Sequence, residues 1–434
     1  MKFERTIKKG FRSAIFFTVC CFFAAGFSSC GKNLKETPYS FLGEENSFQS
    51  ASDATTAIDA VYDRLRSIYG VTMINLADLN AEELIIRADG GASNLEIDNN
   101  LYTSSNGLFD NFYTNSYLLI DRANRVVKNV GRIAMDATKK TQIIGEARFL
   151  RALAYFNLVQ AFGDVPLVTE PTTDVVNVAV KRDPAEDVYA QIIDDLKSAE
   201  AANLPAAYTA AGEVGRATSG AVRSLLAKVY LTRKDFANAA AKAKEVIDSH
   251  TYSLFPDYKD IFPPENKNGR EHIFSVQYSC VRTTYGNPLS EAFSIFFSYP
   301  INQGGGSYQA DSLYAKSYLP GDYRKLVTII TQKVNPANGA LVLSRTGPHV
   351  DKYWDPNPCG SGASRNNFMV MRYADVLLMY AEALNEVSGP TAEAYDAINQ
   401  VRARARNGNP AANPQDLSGV SQDQFRDSVL QERG

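Results

Sequence analysis

The residues with the most distinctive chemistry are aromatic and amide side chains between positions 280 and 360. The aromatic members are Tyr285, Tyr299, Tyr308, Tyr353 and the only tryptophan of the chain, Trp354. The polar members are Asn287, Asn302, Gln303 and Asp351. A pyranose ring has an apolar C–H face and a rim of hydroxyl groups, so its binding needs flat rings beside amides and carboxylates. The pattern predicts a sugar-binding site with Trp354, in its turn-rich setting, as the leading platform.

Residues for catalysis or metal binding are not arranged in a known pattern. The histidines form no HExxH motif, no Cys or carboxylate cluster has metal-ligand spacing, and GxSxG and GxxxxGK[ST] motifs are missing. Glycosidases need two carboxylates roughly 5 to 10 Å apart, and Asp351 and Asp355 flank Trp354. With 48 acidic residues in the chain, such pairs arise by chance. We therefore expect a binding protein rather than an enzyme, with no catalytic residue, metal ion or cofactor.

Composition and charge define the broad class of the protein. The chain has 434 residues, of which 45% are hydrophobic, so it can bury a core and is not intrinsically disordered. Its 45 Lys and Arg residues against 48 Asp and Glu residues give a net charge of −3, and no run of cations exceeds two residues. A nucleic-acid partner is therefore not expected.

The first thirty residues have the features of a bacterial secretion signal. Five cations within residues 2–12 precede an apolar stretch, residues 13–27, that is too short to span a bilayer. Cys30 follows two serines, and a cysteine after small residues is where lipoprotein signals are cut and acylated. The sequence predicts a signal peptide over residues 1–29 and lipidation of Cys30. Ordinary cleavage beside an unmodified Cys30 is the alternative.

Two cysteines remain as thiols once the signal is removed and Cys30 is acylated. Cys280 and Cys359 would then lie in a compartment that permits disulfides. Two cysteines carry no framework signature, so the sequence leaves open whether they pair or stay free.

Most of the chain has helical periodicity. The predicted helices cover residues 51–67, 113–130, 141–162 and 183–202, and two pairs at 218–233 with 235–249 and 372–387 with 391–406. In the fourth helix, Asp183 is the expected N-cap and Pro184 the first helical residue. A helix–turn–helix unit of about 34 residues is the layout of a tetratricopeptide repeat. The sequence therefore predicts a mainly α scaffold of helix pairs.

The aromatic and amide residues lie outside these helices, in a segment from about residue 256 to 367. A structureless loop of this length is uncommon in a compact domain. We therefore expect a ligand-binding cap of loops, short strands and short helices, inserted into the scaffold. Residues 30–434 would be one domain, with the scaffold at about 45–255 and 368–434. A smaller insertion rich in Asn and Gly covers residues 88–111.

Four blocks of sequence resemble the SusD/RagB family of outer-membrane lipoproteins. They are GEARFLRALAYFNLVQAFGDVPLV at 145–168, GRATSGAVRSLLAKVYLTRKDFANAAAKAKEVI at 215–247, EHIFSVQY at 271–278 and RYADVLLMYAEALNE at 372–386. The blocks occur in the family's order and span nearly the whole mature chain, so the chain is identified as a member. Family members usually continue past a Glu-Arg pair such as Glu432-Arg433 into an Arg- and Glu-rich segment. The resemblance therefore implies a further part of the closing helix.

The resemblance implies a SusD-like function. Family members bind nutrients, mostly glycans, and pass them to a SusC-like TonB-dependent transporter, which implies a lipid-anchored protein at the outer membrane, facing the cell exterior. Delivery of peptides or another nutrient is the alternative within the family, and an assembly scaffold without a small ligand is the alternative outside it. Exported surface lipoproteins often carry acidic residues after the lipidated cysteine, whereas Lys32 and Lys35 follow Cys30 here. The sequence therefore leaves the face of the membrane open.

Overall fold

The computed structural model describes residues 47–173, 180–295, 305–335, 338–360 and 362–433. The sequence-based expectations for residues 1–46, including Cys30, and for Tyr299, Asn302 and Gln303 lie outside these ranges. From Gln49 onward the chain forms one compact unit.

Fourteen α-helices make up most of the regular structure in the described ranges. They are α1 (Ala51–Ile68), α2 (Val71–Ala77), α3 (Ala92–Asp98), α4 (Gly107–Asn129), α5 (Ala137–Phe162), α6 (Ala185–Ala201), α7 (Ser219–Thr232), α8 (Phe236–Asp248), α9 (Leu289–Phe293), α10 (Tyr314–Ser317), α11 (Tyr323–Thr328), α12 (Tyr373–Ser388), α13 (Ala392–Ala405) and α14 (Gln422–Arg433). Every helix predicted from periodicity is present, and the mainly α fold class is confirmed.

Within the same described ranges, eight short strands form four antiparallel pairs. The strands are β1 (Leu84–Ile86), β2 (His272–Val276), β3 (Tyr308–Ala310), β4 (Ile329–Ile330), β5 (Gln332–Val334), β6 (Leu341–Leu343), β7 (His349–Val350) and β8 (Phe368–Arg372). They pair as β1–β3, β2–β8, β4–β7 and β5–β6. The β1–β3 pair places Ile86 opposite Tyr308, and the β2–β8 pair leads directly into α12. The short pairs therefore connect the region around residues 256–367 to helices at both ends of the chain.

Helix α5 is central because it is covered on more than one side. The Asp136 carboxylate accepts a hydrogen bond from the backbone N–H of Lys139 at 2.8 Å and caps the helix. Gly163 ends the helix with a positive φ of 67°. Phe149 and Leu150 are fully buried, since α5 packs against both α4 and α6. This accounts for the apolar residues on two faces of the predicted helix.

The start of α6 differs from the prediction. The sequence predicts Asp183 as the N-cap, but Pro184 occupies that position without a side-chain cap, and the helix begins at Ala185. The Asp183 carboxylate instead accepts from the backbone N–H of Leu167 at 2.7 Å. The Asp164 carboxylate accepts from the N–H of Ala185 at 2.9 Å. Both carboxylates therefore hold the connection between α5 and α6, because that loop folds back along the helix start.

The C-terminal helix pair packs onto the earlier pair. Helix α12 contacts α7, α8, α13 and α14. Ala239 and Ala243 of α8 are fully buried, and their small side chains allow close helix approach. The two segments of the predicted scaffold are therefore in direct contact.

A disulfide joins Cys280 to Cys359, which answers the question that the sequence leaves open. Nearby, the backbones of Asn287 and Ser364 exchange two hydrogen bonds of 2.9 Å each. The covalent bridge and these hydrogen bonds hold the loop after β2 against the turns that precede β8.

Candidate functional site

A cavity of about 520 Å³ lies where α2, the start of α4 and the end of α5 meet. Its aromatic lining residues are Tyr102, Phe109, Tyr113 and Phe162. Its polar lining residues are Asn75, Asn80, Thr103, Ser104, Asp110, Asp164 and Arg182. Apolar walls with a few placed polar groups, at this volume, are typical of small-molecule sites. We call it the Asn75 cavity.

The aromatic wall of the Asn75 cavity consists of rings held by edge contacts. The centroids of Tyr102 and Phe109 are 5.0 Å apart with an interplanar angle of 77°. Those of Tyr113 and Phe162 are 5.5 Å apart at 79°. Tyr102 remains 41% exposed. The rings therefore form a restrained apolar surface that a ligand can reach.

Asn106 positions the loop that carries Tyr102. Its Oδ1 accepts from the backbone N–H of Leu108 at 3.0 Å, which caps α4. Its Nδ2 donates to the Glu96 carboxylate at 2.8 Å and to the carbonyl of Ser93 at 3.0 Å. One buried amide thus begins α4 and ties the Tyr102 loop to α3.

Asn75 supplies a fixed hydrogen-bond donor at the buried wall. Its side chain is 1% exposed, and its Oδ1 accepts from the Tyr308 hydroxyl at 2.5 Å. Within the described ranges Asn75 Nδ2 donates no hydrogen bond, and Asn75 lines the cavity. This amide N–H₂ group is therefore available to a ligand. Burial raises the pKa of Tyr308 to about 12, against the opposing effect of Asn75, so the hydroxyl keeps its proton at neutral pH.

Charged groups lie at the rim of the Asn75 cavity. Asp110 belongs to the first turn of α4, and Asp164 and Arg182 come from the α5–α6 connection. All three are exposed. Carboxylates accept from hydroxyl groups and a guanidinium donates to oxygen. The rim can therefore match a ligand that carries many hydroxyl groups.

Two family models match the chain. The model described as "SusD family" matches residues 284–434, and the model described as "Starch-binding associating with outer membrane" matches residues 34–231. SusD-like protein P2 of Formosa agariphila is 30% identical over 428 residues, which cover 92% of this chain and 84% of that protein. The chain belongs to the SusD/RagB family.

Solved structures of SusD proteins share the fold. A SusD superfamily protein from Parabacteroides distasonis has a TM-score of 0.77 and 26% identity, with 88% of this chain and 84% of that chain covered. A laminarin-binding SusD-like protein has a TM-score of 0.74 and 25% identity, with 89% of each chain covered. The SusD-like fold expected from the sequence is confirmed.

Of the residues that the sequence predicts for ligand binding, Tyr308 and Asn287 are buried in this SusD chain and Tyr353 is half-buried. Tyr308 is 4% exposed and bonded to Asn75. Asn287 is fully buried, donates to the carbonyl of Asn366 at 2.9 Å and accepts from the N–H of Leu289 at 3.0 Å. Tyr353 stacks on Phe293, with 5.6 Å between centroids. Tyr308 therefore reaches the Asn75 cavity through Asn75, while Asn287 and Tyr353 hold the interior together.

The other described members of the predicted site carry basic neighbours. The Arg66 guanidinium lies 4.2 Å from the Tyr285 ring centroid. The Lys333 ammonium lies 3.7 Å from that of Trp354 and pairs with Asp351. Burial raises the pKa of Asp351, and Lys333 opposes that shift. Neither Tyr285 nor Trp354 lines the Asn75 cavity. The residues that the sequence predicts as one binding site therefore lie in separate parts of the structure.

The carboxylates beside Trp354 each have a cationic partner. Asp355 is fully buried and accepts from Arg365 Nη2 at 2.6 Å, and Asp351 pairs with Lys333. In the described ranges no three His, Cys, Asp or Glu side chains group closely enough to hold a metal ion. No helix in those same ranges is long and apolar enough to cross a bilayer.

The sequence-based reasoning missed the residues of the Asn75 cavity. Tyr102 and Phe109 lie in the insertion at 88–111, which resembles the larger cap segment in its Asn- and Gly-rich composition. This shared composition could have indicated that the insertion at 88–111 also contributes to ligand binding. Asn75 carries no comparable signal, because an amide in a short helix has no distinguishing pattern.

Proposed function

We propose that this SusD-family chain is an outer-membrane lipoprotein that binds glycans and delivers them to a SusC-like TonB-dependent transporter, without catalysis. The names of its relatives support this: one solved relative binds laminarin, and one matching family model describes starch binding at the outer membrane. The observation that carries the proposal is the Asn75 cavity, with its restrained rings and the Asn75 amide, whose Nδ2 donates no hydrogen bond within the described ranges.

The geometry suits a saccharide unit. The exposed Tyr102 ring can cover the C–H face of a sugar, which is apolar and flat. Asn75 Nδ2 can donate to a hydroxyl or ring oxygen inside the cavity. Asp110 and Asp164 can accept from hydroxyl groups at the rim, where Arg182 can donate. Each contact by itself is weak, which suits a protein that captures a ligand and then releases it.

The surface around Trp354 is proposed as a second sugar contact. Trp354, Tyr353, Tyr285 and Asp351 belong to this proposal, as do Tyr299 and Gln303 outside the described ranges. The Lys333 ammonium lies over one face of the Trp354 ring, and this cation–π interaction stabilises the position of the ring. Trp354→Ala should then weaken binding strongly while thermal unfolding stays within a few degrees of wild type.

Affinity electrophoresis against neutral and acidic polysaccharides, followed by calorimetry with the best ligand, tests the function. Tyr102→Ala should weaken glycan binding roughly fivefold, as expected for loss of one stacked ring worth about 1 kcal/mol. Leu101→Ala is the matched control, because Leu101 is 73% exposed and does not line the cavity.

If Tyr102→Ala binds the glycan as wild type does and Trp354→Ala does not bind it, the glycan site lies at the Trp354 surface and not in the Asn75 cavity. Binding of peptides but of no glycan would contradict the proposed ligand class.

A further inference from the structure

A second cavity, of about 430 Å³, lies between the start of α12, the helices α13 and α14, and the short helices α10 and α11. Seven cationic side chains and three carboxylates line it within the described ranges. Its volume is in the range of small-molecule sites. The balance of charge distinguishes it from the Asn75 cavity.

The cations of this second cavity are not all matched by a carboxylate of their own. Glu271, which is fully buried and does not itself line the cavity, pairs with the lining residues Arg372 at 2.9 Å and Arg404 at 2.6 Å. Glu432 and Asp322 pair with Arg324 and Arg402, and Asp375 and Glu382 pair with Lys228 and Arg433. Those four cations are matched by four carboxylates, whereas Arg372 and Arg404 share one carboxylate, which leaves positive charge uncompensated. The walls therefore favour an added negative charge.

Two cationic groups have donors without acceptors. Arg404 is 8% exposed, and its Nε has no hydrogen-bond partner within the described residues. Lys352 forms no ion pair in the described ranges and also lines the cavity. A buried guanidinium nitrogen without an acceptor is costly. Lys352 lines the cavity without a carboxylate partner in the described ranges.

Backbone and side chains add to the positive field. Helix α12 has Arg372 at its N-cap with no side-chain cap, and Ala374 of its first turn lines the cavity. Helix N-termini attract anions. Burial would raise the pKa of the Tyr258 hydroxyl, yet Lys352, Arg372 and Arg404 bring it below its ordinary value. The cavity therefore stabilises negative charge even on a buried group.

We propose that this second cavity binds a carboxylate-bearing sugar unit, such as a uronic acid. The carboxylate would lie between Lys352, Arg404 and the start of α12, where charge-assisted hydrogen bonds are strong. Tyr258 and Tyr318, which line the cavity, offer ring surface and hydroxyl groups to the sugar. The site is separate from the Asn75 cavity and does not depend on glycan binding there.

Calorimetry of the full chain with sodium glucuronate, at fixed ionic strength and with glucose as the neutral control, tests this site. Wild type should bind glucuronate and not glucose, and Lys352→Met should raise Kd at least tenfold. Lys197→Met, at an exposed lysine of α6 away from the cavity, should leave Kd unchanged. Tyr258→Phe should also raise Kd, and it serves if the Lys352 variant does not fold.

Several outcomes would overturn the assignment. They are no saturable heat with wild type, an unchanged Kd in both Lys352→Met and Tyr258→Phe, or loss of glucuronate binding in Asn75→Ala. Binding of sulfate without binding of glucuronate would show a bare oxyanion site and overturn the sugar class. Displacement of bound glucuronate by sulfate would support a site that binds the sugar through its carboxylate.

Discussion

At the scale of single residues, the proposed glycan site depends on the pair Asn75 and Tyr308. Asn75→Ala removes the donor that we assign to the ligand, so glycan affinity should fall roughly tenfold, the value of one hydrogen bond of about 1 to 1.5 kcal/mol. Tyr308→Phe should also weaken binding, because the amide loses the partner that fixes its orientation. Calorimetry with the ligand found by electrophoresis measures both effects.

A double-mutant cycle separates positioning from packing in this pair. If Tyr308 acts through Asn75, Tyr308→Phe should cost no further affinity in the Asn75→Ala background. Additive losses would mean that Tyr308 affects the cavity by another route. Thermal unfolding of all three variants shows whether the fold is retained.

Asp78 gives stability a measurable pH dependence. Burial raises its pKa to about 6, with Glu83 adding to the shift and Lys352 opposing it. A carboxyl group with a raised folded-state pKa stabilises the fold when protonated, and that contribution is lost as the pH rises through about 6. Asp78→Asn keeps the neutral form at every pH. Its free energy of unfolding, relative to wild type, should therefore increase by about 2 to 3 kcal/mol between pH 4 and pH 7.5.

Urea unfolding of both proteins across this range tests the Asp78 prediction. Asp427→Asn is the control, because Asp427 is an exposed carboxylate of α14. A difference between Asp78→Asn and wild type that stays constant with pH would contradict the assignment.

At the scale of elements, the contact of α8 with α12 makes the two helical regions interdependent. A fragment that ends near Asp260 keeps α1 to α8 but loses α12, which covers α7 and α8. Its exposed apolar helix faces should leave it markedly less stable than the full chain. Urea unfolding followed by circular dichroism measures this. A fragment that unfolds cooperatively with the stability of the full chain would show that the regions are independent domains.

At the scale of the whole molecule, the proposed location depends on Cys30. Cys30→Ala removes the acylation site, so the chain should move from the membrane fraction to the soluble fraction of the cell. A lipid anchor of several acyl chains holds a protein firmly at a membrane. The proposal includes no other membrane anchor for this chain. Fractionation followed by immunoblotting measures the change, with Cys280→Ser as the control for loss of a cysteine outside the signal. Continued membrane association of Cys30→Ala, released only by detergent, would contradict the prediction.

Local sequence patterns were sufficient to predict the helices and the family. Apolar periodicity and capping residues are local, so α5, the pair α7 and α8 and the pair α12 and α13 could be predicted within a few residues of their observed ends. The four blocks of family sequence are local in the same sense. The start of α6 was misplaced because Asp183 bonds to Leu167, a contact that the capping pattern does not contain.

Which side chains share a site depends on long-range packing, which the local patterns do not contain. Asn75 and Tyr308 are 233 residues apart, and the pairing of β1 with β3 rather than any local pattern brings them together. The same packing buries Asn287, stacks Tyr353 on Phe293 and places Lys333 over Trp354. A run of aromatic and amide residues indicates a composition suited to sugars, but exposure depends on which distant elements cover each ring. That is set by long-range burial, for which a single sequence has no periodic signal.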